Sequence, residues 1–147
     1  FNAELPQPFW QTTLSVELSK DEIKNLAAHY PGRLEVMAFG RTELMCTRDP
    51  GMRNCILQDE RTYRFPVYKD GHGLSHILNS TDLMLLPYLQ EIGSFGVESV
   101  GIDVRKRPET LAAAVAQAYA EDNVRAKTSL VEMCGGINYG AYLRGTD

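Results

Sequence analysis

The chain lacks any long run of apolar residues. No stretch approaches the roughly eighteen uncharged apolar residues that a membrane-spanning helix needs, so no such helix is expected. No cationic start precedes an apolar segment, so no signal peptide is predicted. Because the sequence begins at Phe1 rather than Met, we expect further residues upstream of it.

Cysteine is scarce, and its spacing is irregular. Cys46, Cys55 and Cys134 are an odd number of thiols, which does not match the disulfide framework of a small secreted protein. This pattern favours a reducing compartment, and we predict that the protein is cytoplasmic.

The charge balance also lacks a strong excess of either sign. With 15 Lys and Arg against 19 Asp and Glu, the net charge is -4, which argues against a protein that coats nucleic acid through bulk electrostatics. One run of three cations, at residues 105–107, fits a solvated loop better than a basic binding patch.

What the sequence does contain is an alternation of strand-like and helix-like segments without repeats or linkers, which predicts a single domain over residues 1–147. Ser19 and Glu22 form a capping-box pattern that begins a helix. Pro87 suits the start of a helix that runs to Gly93. The other predicted elements are strands at 12–18, 34–39, 76–78 and 99–104, a helix after Pro108 that buries Leu111, Val115 and Tyr119, and a helix at 125–133.

Residues 41–73 interrupt this alternation. Asp49, Pro50 and Gly51 give a turn signal, and extended pieces near 56–57 and 64–68 predict a hairpin-like excursion. Ser80 is positioned to cap a turn at Asp82.

The order of elements predicts an α/β fold built from parallel β/α units. A closed TIM-like barrel needs about 250 residues, so this chain holds about four units, roughly half of a barrel. The open strand edges of a half barrel predict either a missing N-terminal half or a homo-oligomer that covers them. An open α/β sheet is the alternative.

Polar residues near the carboxyl ends of the predicted strands are the candidates for catalysis, because these ends form the active-site mouth of a β/α barrel. They are Glu17, Arg41, Asn79, Asp103 and Arg105. The carboxylates suit acid–base or metal chemistry, and the arginines suit binding of a carboxylate or phosphate. Alternatively, Glu17 with Arg41 and Asp103 with Arg105 form structural ion pairs.

Metal ligands are a second hypothesis. His72 and His76 together with Cys46 and Cys55 have the residue types of a zinc site. The eight residues between the two cysteines exceed the usual spacing, and histidines four apart in an extended segment are about 13 Å apart. Cys46, Cys55 and Cys134 are alternatively three ligands of a cluster, or small apolar residues without a ligand role.

Five segments, in chain order, resemble motifs of the collagenase-like peptidases, also called the U thirty-two peptidases. They read LSVELS at 14–19, FGRTELM at 39–45, FPVYKD at 65–70 with HILNS at 76–80, IDVR at 102–105, and YGAYLRG at 139–145. The resemblance implies a barrel-like catalytic domain that hydrolyses peptide bonds, and it favours catalytic roles for Asp103 and Arg105.

The resemblance also implies an alternative activity. Some relatives hold a four-iron, four-sulfur cluster and assist oxygen-independent hydroxylation of tRNA, ribosomal RNA or quinone precursors. Cys46 and Cys55 fall in the segment where such relatives carry two ligands, but residues 71–73, directly after Asp70, include no cysteine, and Cys134 lies much further along the chain. A third hypothesis is a catalytically silent half whose partner half supplies the chemistry.

Overall fold

The computed structural model describes residues 10–144, which divide into two compact units. One unit comprises the residues up to Gly40 and those from Leu83 onward, and the other comprises Arg41–Asp82. The strands are β1 Gln11–Thr13, β2 Arg33–Gly40, β3 Glu43–Thr47, β4 Cys55–Gln58, β5 Arg64–Lys69, β6 Ser75–Leu78, β7 Asp82–Met84, β8 Ser99–Ile102 and β9 Ile137–Asn138. The helices are α1 Lys20–His29, α2 Leu89–Ser94, α3 Glu109–Ala120 and α4 Lys127–Cys134.

The sheet of the first unit is centred on β2. Strands β1 and β8 pair with β2 in parallel, and β7 pairs with its last residues in antiparallel orientation. Strand β9 lies beyond β7. Leu34, Val36 and Ala38, which alternate on one face of β2, are buried against the core, and so is Phe39 near the end of the strand.

Helix α1 begins where the sequence predicts. The Ser19 side chain accepts a hydrogen bond from the backbone N–H of Glu22, and the Glu22 carboxylate accepts one from the backbone N–H of Ser19 at 2.8 Å. This capping box satisfies N–H groups that the first helical turn leaves without partners. The buried side chain of Ile23 anchors the helix to the core.

Helix α3 packs through the predicted face. Leu111, Val115 and Tyr119 are buried, and the Tyr119 ring lies edge-on to Phe39 with centroids 6.1 Å apart. The Tyr119 hydroxyl donates a 2.7 Å hydrogen bond to the Ala38 carbonyl. Helix α4 ends at Cys134, and the Gly135 that follows has a φ of 72°, the left-handed conformation common at a helix C-terminus.

The second unit is an antiparallel sheet with strand order β3-β6-β5-β4. Strands β4 and β5 form the hairpin predicted near 56–57 and 64–68, with Ile56 opposite Pro66. Val67, Ser75 and Ile77 are its buried residues on β5 and β6.

Three predicted elements differ from the structure. The strand predicted at 12–18 ends at Thr13, because the chain turns at Val16 and Glu17 before α1. The strand predicted at 76–78 is β6, which pairs in antiparallel orientation and is therefore not a β/α strand. Asp82 begins β7 instead of lying in a turn capped by Ser80.

The structure is therefore a mixed α/β fold with both parallel and antiparallel strand pairing. Within residues 10–144 the parallel pairs are those of β2 with β1 and β8, and the half-barrel remains a prediction. None of the helices in this part of the chain combines the length and apolar character needed to cross a membrane.

Candidate active site

The carboxyl ends of β2 and β8 lie side by side because the two strands are parallel. Phe39 near the end of β2 is opposite Ile102 at the end of β8. Asp103 follows directly, and its backbone N–H donates a 2.9 Å hydrogen bond to the Phe39 carbonyl. The backbone therefore holds Asp103 at the carboxyl edge of the parallel strands.

Gly40 makes this close approach possible. Its φ is 130°, a conformation that side-chain-bearing residues rarely adopt. A Cβ atom at this position would lie 2.6 Å from the backbone oxygen of Asp103 and 2.9 Å from its Cβ. The absence of a side chain at Gly40 is thus a condition for the placement of Asp103.

Asp103 and Arg105 form a bidentate ion pair. The Arg105 Nη2 and Nε groups donate to the Asp103 carboxylate at 2.6 and 2.9 Å, and the Arg105 backbone N–H donates to it at 3.0 Å. The Asp103 side chain is 23% exposed, whereas that of Arg105 is 81% exposed. The ion pair between Asp103 and Arg105, the structural alternative to a catalytic role, is therefore formed.

The electrostatics of this pair define its chemistry. The side-chain hydrogen bond from Arg105 lowers the pKa of Asp103, which outweighs the opposing effect of burial. Asp103 is therefore an anion at neutral pH and accepts hydrogen bonds rather than donating a proton. The Arg105 guanidinium is held in a fixed orientation at the surface, where this planar group suits recognition of a carboxylate or carbonyl oxygen.

The three other predicted catalytic residues, Glu17, Arg41 and Asn79, make contacts outside the Asp103–Arg105 pair. Glu17 is exposed in the turn before α1, and its backbone carbonyl accepts a 3.1 Å hydrogen bond from Arg144. In the second unit, Arg41 Nε lies 4.0 Å from the buried carboxylate of Asp82. The Asn79 side chain accepts a hydrogen bond from the backbone N–H of Ser80 at 2.7 Å.

Asn79 does not lie at the end of a parallel strand, contrary to the premise on which it was selected. It follows β6, and its backbone N–H donates to the Thr42 carbonyl at 2.8 Å. Two of the five predicted catalytic residues, Asp103 and Arg105, are in direct contact.

Cys46 and Cys55 lie on opposite edge strands of the second unit. Cys46 is on β3 and Cys55 is on β4, with β6 and β5 between them. Three strand spacings of about 4.8 Å separate the two strands by about 14 Å. Both thiols are free and exposed. This arrangement does not fit two ligands of one iron–sulfur cluster.

Sequence reasoning missed a cluster centred on His76. Its Nδ1 lies 2.5 Å from the Glu43 carboxylate and its Nε2 lies 3.3 Å from the Asp70 carboxylate. Its ring stacks on Tyr68 with centroids 4.7 Å apart. Glu43 is 33 residues from His76, so only strand pairing between β3 and β6 brings them together.

The two carboxylates determine the protonation of His76. Hydrogen bonds to Glu43 and then to Asp70 raise its pKa. Cys46 is the cross-strand neighbour of His76. Because both ring nitrogens of His76 contact carboxylates, the ring is arranged as a cation rather than as a base for the Cys46 thiol.

The predicted zinc ligands do not converge in this arrangement. His72 lies in an exposed turn, where its backbone N–H donates to Asp70. Cys134 ends α4 in the first unit. Across residues 10–144, no group of three or more His, Cys, Asp or Glu side chains is placed to hold a metal ion.

Comparison with known proteins gives one family. The model of peptidase family U32 matches residues 7–132, which is most of the chain. Neither the curated proteins nor the solved structures give a significant match.

Proposed function

The chain belongs to peptidase family U32, and on that premise we propose that it forms part of a domain that hydrolyses peptide bonds. The observation that carries the proposal is the Asp103–Arg105 pair, placed at the carboxyl edge of parallel strands where β/α enzymes bind their substrates. In this proposal Arg105 binds a carbonyl or terminal carboxylate oxygen of the peptide. Asp103 acts as a positioning residue that fixes the guanidinium.

A structural role alone explains the pair poorly. An ion pair with one highly exposed partner stabilises a fold by only about 0–1 kcal/mol. The position instead offers a cation to solvent at the end of β8 while its carboxylate partner remains largely covered. The exposed guanidinium is therefore accessible to an anionic or carbonyl oxygen from solvent.

The test is cleavage of unstructured peptides, with new termini identified by mass spectrometry, in the longest natural form of the protein that contains this chain. We expect Arg105→Lys to lower cleavage by about tenfold to a hundredfold, because a lysine cannot form the bidentate geometry. Asp103→Asn is expected to raise KM and lower kcat/KM, with thermal unfolding nearly unchanged.

The chain offers a matched control at the opposite end of the same strands. Arg33 begins β2, and its Nε donates to the Glu98 carboxylate at 2.7 Å, just before β8. This exposed ion pair lies at the amino edge, so Arg33→Lys is expected to leave cleavage unchanged. Equal losses from Arg33→Lys and Arg105→Lys, or no cleavage by the wild-type protein, would contradict the proposal.

We also propose that the protein works in a reducing compartment. The thiols of Cys46 and Cys55 are exposed and neither forms a disulfide, which supports a reducing environment such as the cytoplasm. The hydroxylation alternative has no comparable support, because the sheet separates the two cysteines that would share a cluster.

A further inference from the structure

Strand β4 is an open edge of the antiparallel sheet. It pairs with β5 on one side, and within residues 10–144 no strand pairs with its other side. Its four residues read Cys-Ile-Leu-Gln, without a charge or a proline. The other edge strand, β3, carries Glu43 and a register irregularity between Glu43 and Met45, two features that block edge pairing. Strand β4 has neither protection.

The charges that flank β4 have opposite signs. Arg53 precedes the strand, whereas Asp59 and Glu60 follow it, and all three residues are exposed. Asp59 accepts hydrogen bonds from the backbone N–H groups of Arg61 and Tyr63 in the β4–β5 turn. Among residues 10–144, the side chains of Arg53 and Glu60 make no hydrogen bond or ion pair.

A strand with a cation at one end and anions at the other is complementary to an antiparallel copy of itself. In a symmetric dimer, a two-fold axis perpendicular to the sheet relates the two β4 strands, and each side chain stays on the same face of the sheet. Because side chains alternate between the two faces along a strand, this symmetry requires that one residue of β4 lies directly opposite the same residue of the other copy. If that residue is Ile56, Arg53 lies opposite Asp59 of the copy. If it is Leu57, Arg53 instead lies opposite Arg61, and like charges repel.

We propose that the β4 edge binds a second copy of this chain, in antiparallel orientation and with Ile56 opposite Ile56. The Ile56 side chain is 54% exposed in the single chain, and the paired copy covers it. Two symmetry-related contacts between Arg53 and the acidic end of the other strand fix the register. Because four-residue strands bury much less than the roughly 1,000 Å² of a stable interface, the dimer is weak and depends on concentration.

Disulfide trapping tests the register directly. In a background of Cys46→Ala, Cys55→Ser and Cys134→Ala, the Ile56→Cys variant is expected to form an oxidised dimer. The matched control retains Cys55 as its only cysteine. In the proposed register Cys55 lies opposite Leu57, and the Cα atoms of the two Cys55 residues are about 7–8 Å apart, too far for a disulfide.

A charge reversal tests the same pairing without a cross-link. Arg53→Glu in the Ile56→Cys background is expected to slow dimer trapping roughly threefold to tenfold, since two symmetry-related contacts become repulsive. Arg125→Glu changes the net charge equally but lies in the other unit, at an exposed position, and should have little effect.

The results separate the proposal from its alternatives. Selective trapping through position 56, sensitive to Arg53→Glu, supports it. Equal trapping through positions 55 and 56 indicates random collision, and no trapping at millimolar protein indicates that the edge does not pair with itself. Equal effects of Arg53→Glu and Arg125→Glu indicate a general charge effect. Each of these three results overturns the proposal.

Discussion

At the scale of single residues, the protonation of the His76 ring is set by its neighbours in the folded structure. Two carboxylates contact its ring nitrogens, one from β3 and one from the turn between β5 and β6. Tyr68 of β5 stacks on the ring, and Cys46 of β3 is its cross-strand neighbour. The imidazolium thus connects three neighbouring parts of the second unit.

The raised pKa of His76 predicts a pH dependence of stability. Its contribution is complete below the ordinary value of about 6.5 and is lost as the pH rises through the raised pKa, because the folded state binds the proton more tightly. We expect the urea midpoint to fall as the pH rises above about 6.5, and NMR titration of the His76 ring to give a pKa above 6.5.

Glu43→Gln and Asp70→Asn are expected to move the His76 pKa back toward its ordinary value. The control is Glu60→Gln, which removes an exposed carboxylate outside the cluster. A His76 titration that is the same in Glu43→Gln, Glu60→Gln and the wild-type protein would show that Glu43 does not hold the ring.

Gly40 gives a second prediction at this scale. Gly40→Ala is expected to destabilise the fold by about 2–4 kcal/mol, because the φ of 130° is strained for alanine and the added Cβ meets the Asp103 backbone. Gly93→Ala in α2 is the control, since nothing lies within 4 Å of an added Cβ there. The control should gain about 0.5–1 kcal/mol from helix propensity. Equal urea midpoints for the two variants would contradict this account.

At the scale of elements, the start of α1 follows from four consecutive residues. Ser19→Ala removes one half of the capping box and is expected to lower the free energy of unfolding by about 1 kcal/mol, measured by urea titration. Ser129→Ala, an exposed serine inside α4, should cost nothing because alanine favours a helix interior. A loss of similar size in both variants would assign the effect to something other than the cap.

The buried face of a helix could be predicted from the sequence, whereas the partners of a strand could not. The pattern of Leu111, Val115 and Tyr119 predicted the buried face of α3 because a helix face depends on spacing alone. The segment at 76–78 was predicted as a strand, but its antiparallel partners β3 and β5 depend on tertiary pairing. An extended segment carries no signal for the direction of its neighbours.

At the scale of the whole molecule, the cysteine arrangement bears on the choice between activities. With Cys46 and Cys55 on opposite edge strands, we expect anaerobically purified protein to contain little iron or acid-labile sulfide. Elemental and sulfide analysis measures this directly. About four iron and four sulfide per chain would contradict the expectation and favour the hydroxylation alternative. Replacing Cys46 and Cys55 with serine provides the background value.

The candidate site was predictable only in part. Asp103 and Arg105 could be selected from the sequence because they follow a recognisable strand, and their separation of two residues allows a local contact. The selection of Asn79 rested on the wrong strand direction. The requirement for glycine at position 40 was not visible, because it arises from the approach of Asp103, 63 residues further along the chain.

Helix starts, helix faces, the hairpin and the family could be read from the sequence. The helix cap, the helical spacing and the hairpin at β4 and β5 each depend on residues that are close together in the sequence. The residues that cause them can therefore be recognised in a short segment. Tertiary packing sets three further features: β2 and β8 are parallel neighbours, Gly40 makes room for Asp103, and Glu43 contacts His76. Those contacts join distant residues through the packing of strands, and no local pattern specifies them.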